Sequence, residues 1–152
     1  MDKVYKTNLP EISIKYKSGT MKKFKIIQSK NIFDACKELL NLDTVELSEE
    51  ALCFYLNKAN NTIGWKRISQ GGISGTVMDP RIIFQGAILS GATSIILIHN
   101  HPSCNINPSE TDKNITQKVK EGAKYFDIQL LDHLIISGDL ETYFSFADEG
   151  EL

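Results

Sequence analysis

No two cysteines in this chain sit at C-x-x-C spacing: Cys36, Cys53 and Cys104 are odd in number and far apart. A zinc ribbon and a thioredoxin-like redox pair are thereby excluded, and reduced thiols in a cytosolic compartment are the simplest expectation. Long apolar runs are missing too. None approaches the roughly 18 residues of a membrane-spanning helix, and "MDKVYKTNLPEI" lacks the basic-then-apolar pattern of a secretory leader. A cytoplasmic protein without membrane association is expected. A basic excess is also absent, since 17 Lys and Arg against 19 Asp and Glu give a formal net charge of −2. That balance argues against strong direct binding to nucleic acid. Only Lys15–Lys25 leans basic, with five lysines and no acid. It reads as a solvated hairpin edge whose lysines deter strand pairing, with a phosphate-binding surface as the alternative.

What remains is an ordinary globular composition, 41% apolar and 24% charged over 152 residues. One domain of that size buries a core without disulfide or metal staples. "EISIKY" and "MKKFKIIQ" flank Ser18-Gly19 and predict a β-hairpin-like N-terminal extension over residues 1–30. "NIFDACKELLNL" predicts a helix over 31–42, with Ser29 or Asn31 as its cap. Strands are expected over 51–57 and 62–69 around the turn "KANN". The glycine-rich "GGISGT" (71–76) reads as a connection, or else as a mobile rim.

Asp79-Pro80 is a helix start, an N-cap followed by proline at the first helical position, and Gly91 marks the stop. "TSIILIH" (93–99) is a continuous apolar run and predicts a central strand buried on both faces. A helix over 109–122 and strands over 128–137 and 142–147 complete the pattern. Strands alternating with helices around a buried strand predict a three-layer α/β domain.

The strand end carries the chemistry. Residues i and i+2 of a strand point to one side, so His99 and His101 can present both imidazoles to one point. On a helix i and i+3 are neighbours, so Ser109 and Asp112 share a face. The loop "PSCNINP" between them is long enough to return that face to the strand end. Two histidines and a carboxylate are a ligand set that catalytic zinc uses, with the fourth position left for water. The plainer alternative is a helix cap, with Ser109 as N-cap and Asp112 favourable near the positive end of the helix dipole.

H-x-H-x7-S-x-x-D, as "HNHPS…PSETD" followed by "LLDHLIIS" and "SFADEGEL", resembles the RadC-like branch of the JAB/MPN (JAMM) metalloprotease family. The resemblance spans roughly residues 31–152. It implies a three-layer β-α-β sandwich of cytidine-deaminase-like type, a mixed sheet flanked by helices. It also implies one zinc per chain, held by His99, His101 and Asp112, with Ser109 steadying a tetrahedral intermediate much as an oxyanion-hole donor does. The family's general base is a glutamate on an earlier strand. RadC-like sequences carry it eight residues before the Asn or Asp that ends the strand, which points here to Glu49. Glu50 is the alternative, and alternation faces it the other way. His133 falls within the family pattern without being a ligand, and a packed, hydrogen-bonded role beside the ligands is expected of it.

Two departures stand out. Cys104 replaces the glycine of "HNHPSG", either incidentally or as a fourth ligand that closes the site. Residues 1–30 are too short a stretch and too β-like to form the helix-hairpin-helix region of long family members, so DNA binding on that basis is not expected of them. The resemblance therefore implies a zinc metallopeptidase acting on a peptide or isopeptide bond in a protein or peptide substrate. The alternatives are a DNA-repair-associated accessory protein and a non-catalytic zinc-binding interaction domain. A nucleobase deaminase would need H-x-E and P-C-x-x-C, and neither occurs.

Overall fold

Polar punctuation sets the ends of the elements, and alternation within the strands decides which side chain enters which layer. The structure, a computed structural model, describes residues 8–13, 15–20, 22–71 and 78–152. The chain forms α1 (Ser29–Cys36), β1 (Glu50–Leu56), β2 (Thr62–Gln70), α2 (Pro80–Ser90), β3 (Ser94–His101), α3 (Glu110–Lys124), β4 (Gln129–Ser137) and β5 (Tyr143–Ser145). The strands make one mixed sheet in the order β2-β1-β3-β4-β5. β1 runs antiparallel to β2 and β3, β3 parallel to β4, and β4 antiparallel to β5.

Each sheet face has its own core. Ala51, Cys53, Tyr55, Ile95 and Leu97 pack against Ile83, Phe84 and Ala87 of α2 and Val119 and Ala123 of α3. Leu52, Phe54, Leu56, Ile96 and Ile98 point the other way, onto Ile32, Phe33 and Cys36 of α1. The result is the expected three-layer α/β domain with helices on both faces of a mixed sheet. Ile95 to Ile98 are no more than 2% exposed. At about 1.5–3 kcal/mol for each fully buried side chain, these residues anchor β3 firmly in the core. It is the strand that ends in His99 and His101.

Helix ends follow local chemistry. Asp79 caps α2 through a bond from Arg81 N–H (2.9 Å), Pro80 occupies its first turn, and Gly91 closes it in the left-handed conformation (φ 65°). Ser109 caps α3. No described helix is long and apolar enough to cross a membrane.

Three expectations needed correction. The first helix ends at Cys36 instead of continuing to 42. It starts earlier than expected because the Asn31 side chain accepts the N–H groups of Ile27 and Gln28 (3.0 and 3.1 Å). The chain then continues as turns that still bury Leu40 and Val45. The last strand shortens to Tyr143–Ser145.

Among the described residues of 11–28 there is no hairpin. The segment instead bridges to the start of β2, Lys25 opposite Asn61, with Ile26 N–H bonded to the Asn60 carbonyl (2.8 Å). Alternating apolar residues there found a partner elsewhere in the sheet. The 71–76 loop lies, apart from Gly71, outside the described residues.

Candidate metal centre

Parity along β3 sends His99 and His101 to the same side as Ile95 and Leu97, the face covered by α2 and α3. The loop after His101 reverses the chain, and the first turn of α3 brings Asp112 back to the strand end. His99 Nε2 lies 2.9 Å from His101 Nε2 and 3.1 Å from Asp112 Oδ1. His101 Nε2 lies 3.4 Å from Asp112 Oδ2. Among the described residues these three form the cluster able to hold a metal ion, with all donor atoms within 4.8 Å of one another. Tetrahedral ligands at roughly 2.0–2.1 Å from a small divalent cation stand about 3.3 Å apart, so the observed spacing fits one.

The donor chemistry fits as well. His101 Nδ1 meets the Asn105 carbonyl at 2.6 Å. A carbonyl only accepts, so Nδ1 donates; Nε2 then carries the inward proton while the ring is charged and a bare lone pair when it is neutral, the form that binds a cation. Burial works to lower the His101 pKa. Hydrogen bonds to Asp112 and Asn105, with the charges of Asp112 and Glu49, carry it above its ordinary value. Burial likewise works to raise the Asp112 pKa, but the bonds to His101, His99 and the Ser109 backbone hold that carboxyl well below the usual range. The site gathers electron-rich donors that a cation would satisfy.

Ser109 serves the cap and the site together. Its backbone N–H and its hydroxyl both donate to Asp112 Oδ2 (2.8 and 2.7 Å), while Asp112 N–H donates back to Oγ (3.1 Å). The capping box and the turn that carries Asp112 are one structure, and the box aims the carboxylate. The hydroxyl proton is thus committed to Asp112.

The two glutamates separate cleanly. Ala51 pairs with His99, and that register carried two residues on sets Glu49 opposite His101. Glu49 is half-buried, its carbonyl accepts from Gly71 N–H (3.0 Å), and its charge reaches His101. Glu50 faces the opposite layer and is fully buried. There it is ion-paired to Arg67 and accepts Asn41 N–H at 3.1 Å.

Asn100, the residue between the two histidines, was not anticipated. Fully buried on the far face, it accepts Glu50 N–H (2.6 Å) and donates to the carbonyls of Val45 and Ser48 (2.7 and 3.0 Å). It pins the segment that carries Glu49 to the strand that carries His99 and His101. A polar residue inside a buried strand was the available signal.

Cys104 stands outside the donor cluster. It is exposed in the left-handed conformation (φ 62°), with its thiol toward the Pro102 carbonyl (3.9 Å). Buried Gly138 backs onto this loop. A Cβ there would meet the Pro102 carbonyl oxygen at 2.7 Å, and Pro102 follows His101 directly. Gly138→Ala is therefore expected to push the loop outward. The change should lower stability by about 1–3 kcal/mol and weaken metal binding, both measurable by thermal unfolding and metal titration. A variant matching the parent in both would show that the loop yields without moving His101.

The RadC-like JAB domain family matches residues 26–151. A UPF0758 protein of Flavobacterium johnsoniae is 44% identical over 128 residues, covering 83% of this chain and 53% of the relative. One of Porphyromonas gingivalis is 46% identical over 104 residues, 68% of this chain and 45% of the relative. The Escherichia coli UPF0758 protein YfjY is 38% identical over 119 residues, 78% of this chain and 73% of the relative. The chain spans about half the length of the first two relatives. With its mixed sheet, strand-terminal histidines and capped Asp112 at these positions, the chain belongs to the family of RadC-like JAB-domain proteins.

Proposed function

We propose that this domain is a zinc-dependent hydrolase of the JAMM type, cleaving a peptide or isopeptide bond in a protein or peptide substrate. The observation that carries the reading is the convergence of His99, His101 and Asp112 with the Glu49 charge beside them. Those three residues would hold the ion. Zinc, when bound there, supplies a Lewis acid that acidifies water and polarises a substrate carbonyl.

The chain's own residues supply the rest. Glu49 takes a proton from the attacking water and returns it to the leaving amine. Asp112, aligned by the Ser109 box, keeps its negative charge inside the site. Ser109 reaches a developing oxyanion by turning its hydroxyl from Asp112 to the substrate. Unpaired cysteines suit a reducing cytoplasm, and the net charge of −2 gives little for strong direct nucleic-acid binding to work with.

The test is cleavage of fluorogenic peptide and isopeptide substrates by zinc-loaded protein. The expected result is turnover that stops on chelation and returns with zinc. Turnover indifferent to chelation would contradict the zinc mechanism. Zinc binding without turnover across both substrate classes would favour the interaction-domain alternative.

A further inference from the structure

His133 lies fully buried on β4 and is not one of the three clustered donors. Its Nε2 is 2.9 Å from His99 Nδ1, and its Nδ1 is 2.6 Å from Thr116 Oγ1 on α3. The Thr116 hydroxyl in turn bonds the backbone carbonyl of Asp112 at 2.6 Å. The imidazole stacks on Phe146, with centroids 5.0 Å apart and planes within 7°. Three elements and the segment after β5 thus meet on one ring, and the bonds through it join two of the proposed ligands.

The Thr116 end favours one direction through this chain. A backbone carbonyl only accepts, so Thr116 spends its single proton on Asp112. Thr116 Oγ1 must then accept from His133 Nδ1–H. A neutral His133 therefore has a lone pair at Nε2, and His99 donates to it from Nδ1. With its proton on Nδ1, His99 turns a bare Nε2 toward His101 and Asp112. The opposite polarity would put a proton on His99 Nε2, where a cation would have to sit.

We propose that Thr116 and His133 form a hydrogen-bonded relay that fixes the Nδ1–H tautomer of His99 and so holds its Nε2 as a metal ligand. Both are positioning residues, and neither touches a reacting atom. The inference deepens the proposed metal-centre reading and rests on it. Supporting partners that orient ligand histidines typically contribute 10–100-fold in metal affinity.

The test uses the full chain with 15N-labelled histidine, together with zinc affinity from chelator competition. In the zinc-loaded protein, His99 should carry its proton on Nδ1, with a scalar coupling across the hydrogen bond to His133 Nε2. His133→Phe keeps an aromatic ring on Phe146 and removes the acceptor, so zinc should bind about 10–100-fold more weakly. His133→Gln, which can place a carbonyl oxygen near Nε2, should recover most of that loss. Thr116→Val removes the acceptor for Nδ1–H with little change in volume, and the coupling should weaken or vanish even if His133→Phe does not fold.

Unchanged zinc affinity in a folded His133→Phe, or a His99 proton on Nε2 in the loaded protein, would overturn the relay while leaving the metal reading intact. A parent protein that binds no zinc removes the metal reading instead. The His133 tautomer of the zinc-free protein then decides the relay alone, Nδ1–H supporting it and Nε2–H refuting it.

Discussion

Glu49→Gln is expected to leave zinc in its site and to lower kcat by about 10²–10⁴-fold, the usual contribution of a positioned general base. The amide keeps the shape of the side chain and removes the basic oxygen. Glu49 lies outside the donor cluster, and its backbone is held by Gly71 N–H. The ligands should therefore stay where they are. Metal content and kcat on the same preparation separate the two effects. A variant that turns over at the parent rate would remove Glu49 from the mechanism, and one that loses zinc would make it a structural residue.

The second large effect concerns stability, on the opposite face of the sheet. Arg67→Met should destabilise the domain by about 3 kcal/mol, the lower end of the range for breaking a buried ion pair. The reason is the residue left behind: the Glu50 side chain is fully buried, whereas that of Arg67 is 30% exposed. Losing Arg67 also strands the Leu39 carbonyl that it holds at 3.0 Å. Glu50→Gln added to Arg67→Met should recover part of the loss, because no buried charge then remains unpaired. Urea unfolding measures both. If Arg67→Met unfolds within about 0.5 kcal/mol of the parent, as an ordinary surface substitution does, Glu50 is not a buried carboxylate that depends on Arg67.

These predictions separate what local sequence reveals from what only the register decides. Asp79-Pro80, Gly91, the Ile95–Ile98 run and the Ser109–Asp112 box are legible because each acts within a few residues of itself. The histidines at 99 and 101 are legible for the same reason, since alternation alone gives them one side. Glu49 and Glu50 are a harder pair. Alternation shows that they oppose each other, but the pairing of Ala51 with His99 is needed to show which one faces the histidines.

Longer-range couplings leave no local trace. The bond between His99 and His133 depends on the parallel pairing of β3 with β4, and Thr116 reaches His133 only once α3 packs on that face. Asn100 has an obvious address in the buried strand, but its partners lie 50 to 55 residues away. Residues 11–28 misled for a physical reason. An alternating segment fits any open strand edge, and here it meets the start of β2 instead of folding on itself.

β3 and α3 bring His99, His101 and Asp112 together as the proposed donors to one metal ion. The most direct measurement is metal content by elemental mass spectrometry, on protein purified without a histidine tag and beside His101→Ala. The parent should hold about one zinc per chain, the stoichiometry of a single three-donor site, and the variant should lose it. Parent protein that takes up no metal even after incubation with zinc would contradict that assignment. The strand end and capped helix would then be only a turn and a cap.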